Sequence, residues 1–257
     1  MTGRHILAIA KNTFRETMRD RILLSAVVVV FMMIAFSVFI GSISIEQDVR
    51  MITDFGLTVI YLLQIFVAIF VGSMLMYKEI ERRTFYLIIP KPIRIESIII
   101  GKALGLTATT AVVTGVSTLA LFAILFLKGG NIYFVPILVS VFLSILESVI
   151  IILLSILFSG MTSPILSAVY TIGFFLIGHS TEIMRNLIAL SDSELRVFVL
   201  KVAYYLLPNL EKFNTRNDVI YEKVPSLTVL ALTVLYAFCY AFIIFLMTRL
   251  NFKKKEF

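Results

Sequence analysis

The chain has 257 residues, 60% apolar and 15% charged, where an ordinary soluble domain has roughly 45–50% and about 25%. With a mean hydropathy of +1.00, its apolar surface exceeds what one core of this length can hide, so a soluble globular fold is excluded and most of the surface must face lipid. The excess of 23 Lys and Arg over 16 Asp and Glu is then a matter of membrane sidedness rather than nucleic acid, while one cysteine, Cys239, and two histidines, His5 and His179, exclude a disulfide framework and leave too few soft ligands for a metal site.

Residues 1–21 predict an amphipathic helix. Ile6, Ala10, Phe14 and Met18 recur at i, i+4 beside a basic stripe of Lys11, Arg15 and Arg19. That is the pattern of a helix lying in the interface plane, its apolar edge in acyl chains and its cations among anionic headgroups.

Six segments then meet the need for about 20 apolar residues across a hydrocarbon core of roughly 30 Å. They run from Ile22 to Ile40, Gly56 to Tyr77, Ile98 to Leu127, Phe134 to Phe158, Pro164 to Thr181 and Leu227 to Thr248. The expectation is an all-α integral membrane protein, a single transmembrane unit over 1–257. The first span is not a signal peptide, because its apolar run exceeds the usual 7 to 15 residues and an amphipathic stretch precedes it. Fifteen of the 23 Lys and Arg fall on the side holding both termini and the loop between the second and third spans. By the positive-inside rule that side is cytoplasmic.

The cytoplasmic loop, residues 78–97, places Ile80, Thr84, Leu87 and Ile88 on one helical face before Pro90 and Pro92, which must end that helix. Glu79 stands three and four residues before Arg82 and Arg83. Such alternating charge fits a self-paired solvated face, and equally a short docking helix rigidly joined to two spans.

The outer segment, 182–226, is too long for a turn and should fold. Ser191-Asp192-Ser193-Glu194 reads as a capping box, opening a helix with Leu195, Phe198, Val199, Val202 and Leu206 on one side that stops at Pro208. Tyr204 and Tyr205 suit a membrane boundary. A lid over a pathway and a structural cap on the bundle are both consistent with it.

Within the spans, Gly101, Gly105 and Thr109 recur every four residues, a spacing that lets helix backbones approach. Ser140, Ser144, Ser148, Ser155 and Ser159 form a hydroxyl stripe beside Glu147, the acidic group deepest in a span. A mid-membrane charge costs at least roughly 2.5–3.5 kcal/mol. Glu147 with Ser144 and Ser148 is therefore either part of a translocation pathway or a helix-packing hydrogen bond. No catalytic motif is present: there is no Gly-x-Ser-x-Gly, and Gly101-Lys102 lacks the upstream glycine and the following Ser/Thr of a phosphate-binding loop. Ser159 with His179 is a residual candidate for intramembrane nucleophilic chemistry.

Glu81-x-x-Thr84, Pro92 and Gly101-Lys102 resemble, in residue type and spacing, the conserved loop of the ABC-2 type exporter permeases. Ile9 to Glu16 and Arg19 to Arg21 before the first span resemble the branch labelled multi-copper enzyme maturation permease. So do Asp54-Phe55-Gly56-Leu57, Leu207-Pro208-Asn209 and Phe213-Asn214. Two departures are that Arg83 stands where that family has glycine and Arg94 one position before its arginine.

The resemblance implies a six-span subunit of a prokaryotic cytoplasmic membrane. It pairs with a second copy or a paralogue, and rests its loop on a separate cytoplasmic ATPase that holds the ATP and magnesium. The chain itself would carry no cofactor and do no chemistry. An extracytoplasmic protein could receive the transmitted force. The residues implied in coupling are Glu79, Glu81, Arg83, Thr84, Pro90, Pro92, Arg94 and Lys102, with Lys102 expected to anchor the third span at the headgroups. Residues 1–21 would be an interfacial elbow and 182–226 outer re-entrant helices. The alternatives from other classes are a gradient-driven carrier using Glu147 and, further off, an intramembrane enzyme.

Overall fold

The structure is a computed structural model that describes residues 2–43, 47–75, 94–190 and 194–254. Helices dominate, and no strand occurs among the described residues. The elements are α1 (Thr2–Met18), α2 (Arg21–Ile43), α3 (Asp48–Phe66), α4 (Ile95–Leu127), α5 (Phe134–Ser159), α6 (Pro164–His179), α7 (Thr181–Leu190), α8 (Glu194–Leu206), α9 (Arg216–Ile220) and α10 (Leu227–Lys254). A π turn, Val67–Val71, carries α3 on to Leu75, and short 3-10 turns occupy Asn131–Tyr133 and Leu210–Phe213.

Among the described residues, five helices are long and apolar enough to cross a membrane: Arg21–Ile43, Asp48–Leu75, Ile95–Leu127, Asn131–Ser159 and Leu227–Lys253. The fifth expected span, Pro164 to Thr181, corresponds to α6, which ends at His179, and α6 and α7 then meet at 60°. At 1.5 Å per residue, the 16 residues of α6 cover only about 24 Å, short of the hydrocarbon core. Counted as one bent unit, α6 and α7 make the sixth span-capable segment. The second expected span begins earlier than its hydropathy suggests, at Asp48 rather than Gly56.

α5 is the hub, packed on α3, α4, α6, α9 and α10. Ile150, Ile151, Ile152 and Ile156 of α5 are fully buried, together with Ile52 of α3 and Leu106 and Leu121 of α4. Within their most apolar windows α3 is 72% buried, α2 22% and α10 17%. The first is therefore interior, and the other two form the rim and offer most of their surface to lipid. Glycine lets α3 and α4 close on one another: a Cβ at Gly56 would lie 2.5 Å from Leu121 Cδ1.

The helix ends sort into two groups. At one end lie α1, the start of α4 and the end of α10, where Arg249 Nε bonds Glu96 Oε1 at 2.7 Å. At the other, Lys128 pairs with Asp48 at 3.7 Å, and Gly129, in the left-handed region at φ 76°, turns the chain from α4 toward α5.

The expected N-terminal helix is present, and the face it turns to α4 carries Ile9 and Thr13, beside the stripe of Ile6, Ala10, Phe14 and Met18. Ile9 and Thr13 sit directly over Gly101 and Gly105 of α4: a Cβ at Gly101 would lie 2.8 Å from Ile9 Cβ, and one at Gly105 would lie 2.6 Å from Thr13 Cβ. Gly101 and Gly105, read from spacing as a place where helix backbones approach, are thus the seat of α1. Thr13 and Thr17 are buried there while Leu7 is 72% exposed.

Candidate functional site

Six polar residues from four parts of the chain converge where α6 breaks. Tyr61 of α3 donates to Glu147 Oε1 of α5 at 2.7 Å. The same Glu147 oxygen lies 2.8 Å from His179 Nε2, at the last residue of α6. Tyr61 Oη is 2.9 Å from that nitrogen. The other imidazole nitrogen, Nδ1, lies 2.9 Å from Glu211 Oε2 in the Leu210–Phe213 turn. Asn214 donates to Glu211 Oε1 at 2.9 Å, and Arg216 Nε donates to Asn214 Oδ1 at 3.0 Å. The Arg216 guanidinium lies over the Tyr61 ring, 4.1 Å from its centroid, and so closes the circuit.

The local sequence explains why these groups meet. Gly178 has no side chain, so the returning chain at Pro208 and Leu210 packs directly on the end of α6 and brings Glu211 beside His179. Two tyrosines of α10 hold that return. Tyr236 accepts from the Asn209 amide at 2.7 Å, and Tyr240 donates to the Leu207 carbonyl at 3.1 Å. Asn209 Oδ1 also accepts from Thr181 at 3.0 Å, across the 60° bend. Leu207-Pro208-Asn209 and Phe213-Asn214 therefore act as pins for the segment after α8, with Leu210 and Phe213 buried beneath.

Burial is graded along the cluster. The side chain of Glu211 is 37% exposed, that of His179 17% and that of Glu147 0%. One turn along α3, Gln64 Oε1 accepts from Ser144 of α5 at 3.0 Å. Gln64 Nε2 and Glu147 Oε2 are buried and make no hydrogen bond among the described residues. The cluster can thus hold and pass protons between one wet and one dry end.

The other expected site residues fall elsewhere. Glu79, Glu81, Arg83, Thr84, Pro90 and Pro92 lie outside the described residues, as does most of the capping box, Ser191 to Ser193. Arg94 is exposed at the N-cap of α4. Lys102 departs from expectation: it is 1% exposed, buried at the α1 end of α4 rather than extended toward headgroups. Ser148 donates to its own helix at the Ile145 carbonyl and so does not join Glu147. Ser159 likewise donates to Ile156, and no hydrogen bond among the described residues links it to His179. No group of three His, Cys, Asp or Glu among the described residues could hold a metal ion.

Sequence reading singled out Glu147 but not Tyr61, Gln64, Glu211 or Arg216. Polar residues three apart in an apolar span, Tyr61 and Gln64, were the available signal.

A cavity of about 460 Å³ lies between α4, α5 and α10, lined by apolar side chains such as Leu104, Leu153 and Phe245, with Thr107 the polar exception. Leu146 and Val149, neighbours of Glu147 on α5, border it, while Glu147 itself turns to the cluster. No family model matches the chain, and no curated protein matches it.

Proposed function

We propose that this protein is the membrane subunit of an ATP-driven exporter of the ABC-2 type, working as a pair of permeases on separate cytoplasmic ATPase subunits. It exports a hydrophobic or amphipathic substrate, or transmits force to an extracytoplasmic partner. The observation that supports this best is the seating of α1 on Gly101 and Gly105 of α4. A helix clamped to the start of the third span, the helix that follows residues 78–94 in the chain, is the arrangement a force-receiving end requires. The resemblance of that stretch to the family's Glu-x-Gly-Thr, Pro and Gly-Lys pattern, with Arg83 in place of the glycine, supports the same reading.

In this account the ATPase pushes on the loop through Glu81, Arg83 and Thr84, and the proline pair passes the displacement into α4. α4 is 33 residues long, long enough to carry motion from the α1 end to the end where Lys128 meets Asp48. α5, packed on both α4 and α6, relays it to the broken span. The apolar faces of α7 and α8, with Leu190 80% and Leu195 74% exposed, lie against the outer leaflet. The substrate path runs between the two copies rather than through one.

The test is affinity purification of the tagged chain from its native membrane in mild detergent, with mass spectrometry of what accompanies it. A stoichiometric nucleotide-binding subunit is expected. Purification without one, together with transport abolished by a protonophore and by Glu147→Gln, would replace this reading with a gradient-driven carrier.

A further inference from the structure

We propose that the Glu147–His179–Glu211 bracket is a proton-operated latch: one bound proton ties the Glu211 turn to the spans, and its release loosens that turn within the 207–220 segment. The argument starts from counting hydrogens. Each of two contacts, Glu147 Oε1 to Nε2 at 2.8 Å and Glu211 Oε2 to Nδ1 at 2.9 Å, needs a hydrogen between its heavy atoms. A neutral imidazole supplies only one. The bracket as built therefore carries one proton more than neutral histidine between two carboxylates, whichever atom holds it. The Tyr61 hydroxyl does not fill the need: whether its hydrogen faces Glu147 Oε1 or Nε2, it lies along neither of the two contacts between the imidazole and the carboxylates.

The charges agree. Glu147, Glu211, Arg216 and a protonated His179 sum to zero, and the groups facing His179 are Tyr61 from α3, Glu147 from α5 and Glu211 from the 3-10 turn. Arg216 lies over the Tyr61 ring, 4.1 Å from its centroid. When the extra proton leaves, a nitrogen lone pair faces a carboxylate oxygen at hydrogen-bond distance and the buried cluster becomes net negative.

The contact that yields is the one to Glu211. Glu147 is held in α5 at the centre of the bundle and is 0% exposed, whereas Glu211 is 37% exposed on a short turn. The proton leaves from Nδ1 by way of Glu211 to water, and the turn carrying Glu211 moves off with Asn214 and Arg216. The latched state binds one proton more than the open one, so by linkage acid favours latching and rising pH opens it. This inference rests on the cluster alone and stands or falls independently of the ATPase partner.

The experiment is hydrogen–deuterium exchange of the full-length chain in lipid nanodiscs, from about pH 5 to about pH 9, spanning the ordinary imidazole titration near 6.5. Exchange in peptides covering 207–220 is normalised to an unstructured peptide and to the α4 core. The wild-type segment is expected to lose at least about tenfold of its protection as pH rises, the change that one unit of proton linkage produces. In His179→Gln the protection should be independent of pH. Should His179→Gln fail to fold, Glu211→Gln serves: its amide donates to Nδ1 of a neutral imidazole, so the segment should stay protected at high pH. Protection that does not change with pH in the wild type overturns the latch, as does a pH response that persists in His179→Gln or Glu211→Gln.

Discussion

Gly178 and Leu210 touch so closely that a Cβ built on the glycine would lie 2.7 Å from the leucine Cγ and 2.9 Å from the Pro208 carbonyl oxygen. A backbone atom cannot step aside as a flexible side chain does. Gly178→Ala is therefore expected to push the 208–211 turn away from α6, at about 1–3 kcal/mol of overpacking. Thermal unfolding followed by size-exclusion recovery should show a lower midpoint, and exchange protection at 207–220 should fall with it. Gly173, whose Cβ would meet nothing within 4 Å, is the control: Gly173→Ala should leave both unchanged.

Tyr61 and Glu147 should couple energetically. Tyr61→Phe removes a hydroxyl that donates to a buried carboxylate at 2.7 Å, a bond of the charged class worth about 1.5–3 kcal/mol. Glu147→Leu strands His179 and Tyr61 together and should cost more, about 3–5 kcal/mol. A double-mutant cycle over the two, read by thermal unfolding, is expected to show non-additivity of about 0.5–3 kcal/mol. Additive effects would mean that the contact contributes nothing specific.

The α1 seat gives a third prediction. A Cβ at Gly105 would lie 2.6 Å from Thr13 Cβ and 2.7 Å from the Ala10 carbonyl oxygen, so Gly105→Val should lift α1 from α4. Lys11 and Arg15, exposed on the opposite face of α1, then become better trypsin sites. Cleavage there should accelerate relative to wild type while the spans still insert.

The Arg249–Glu96 pair predicts a small effect. Its side chains are 49% and 34% exposed, and ion pairs of that exposure contribute about 0.2–1 kcal/mol. Arg249→Gln should lower the unfolding midpoint by little, and less still in high salt.

The helices were legible because hydropathy alone marks a segment that cannot rest in water. Ile95–Leu127 and Phe134–Ser159 match the expected spans within a few residues. The end of α6 near Thr181 was legible, but the 60° turn into α7 and the packing of Pro208 and Leu210 on Gly178 were not, since those partners lie some 30 residues on. The same distance hid the site. Glu147 announced itself as a carboxylate in lipid, but Tyr61, His179 and Glu211 stand 86, 32 and 32 residues from their partners. No local pattern joins them. Gly101 and Gly105 were recognised as a close-approach surface without an occupant, because spacing reports that a backbone comes near and says nothing of whose it is. Lys102 misled for a related reason: a lysine near a span end is expected to snorkel, and only the packed bundle shows it enclosed.

The most direct test of the central claim is the ATPase activity that accompanies the purified protein, compared between wild type and Arg83→Glu. Charge reversal on the docking loop should leave insertion and yield intact while the nucleotide-binding subunit is lost or its hydrolysis no longer responds to the permease. An Arg83→Glu protein that retains the ATPase and stimulates it as the wild type does would contradict the account.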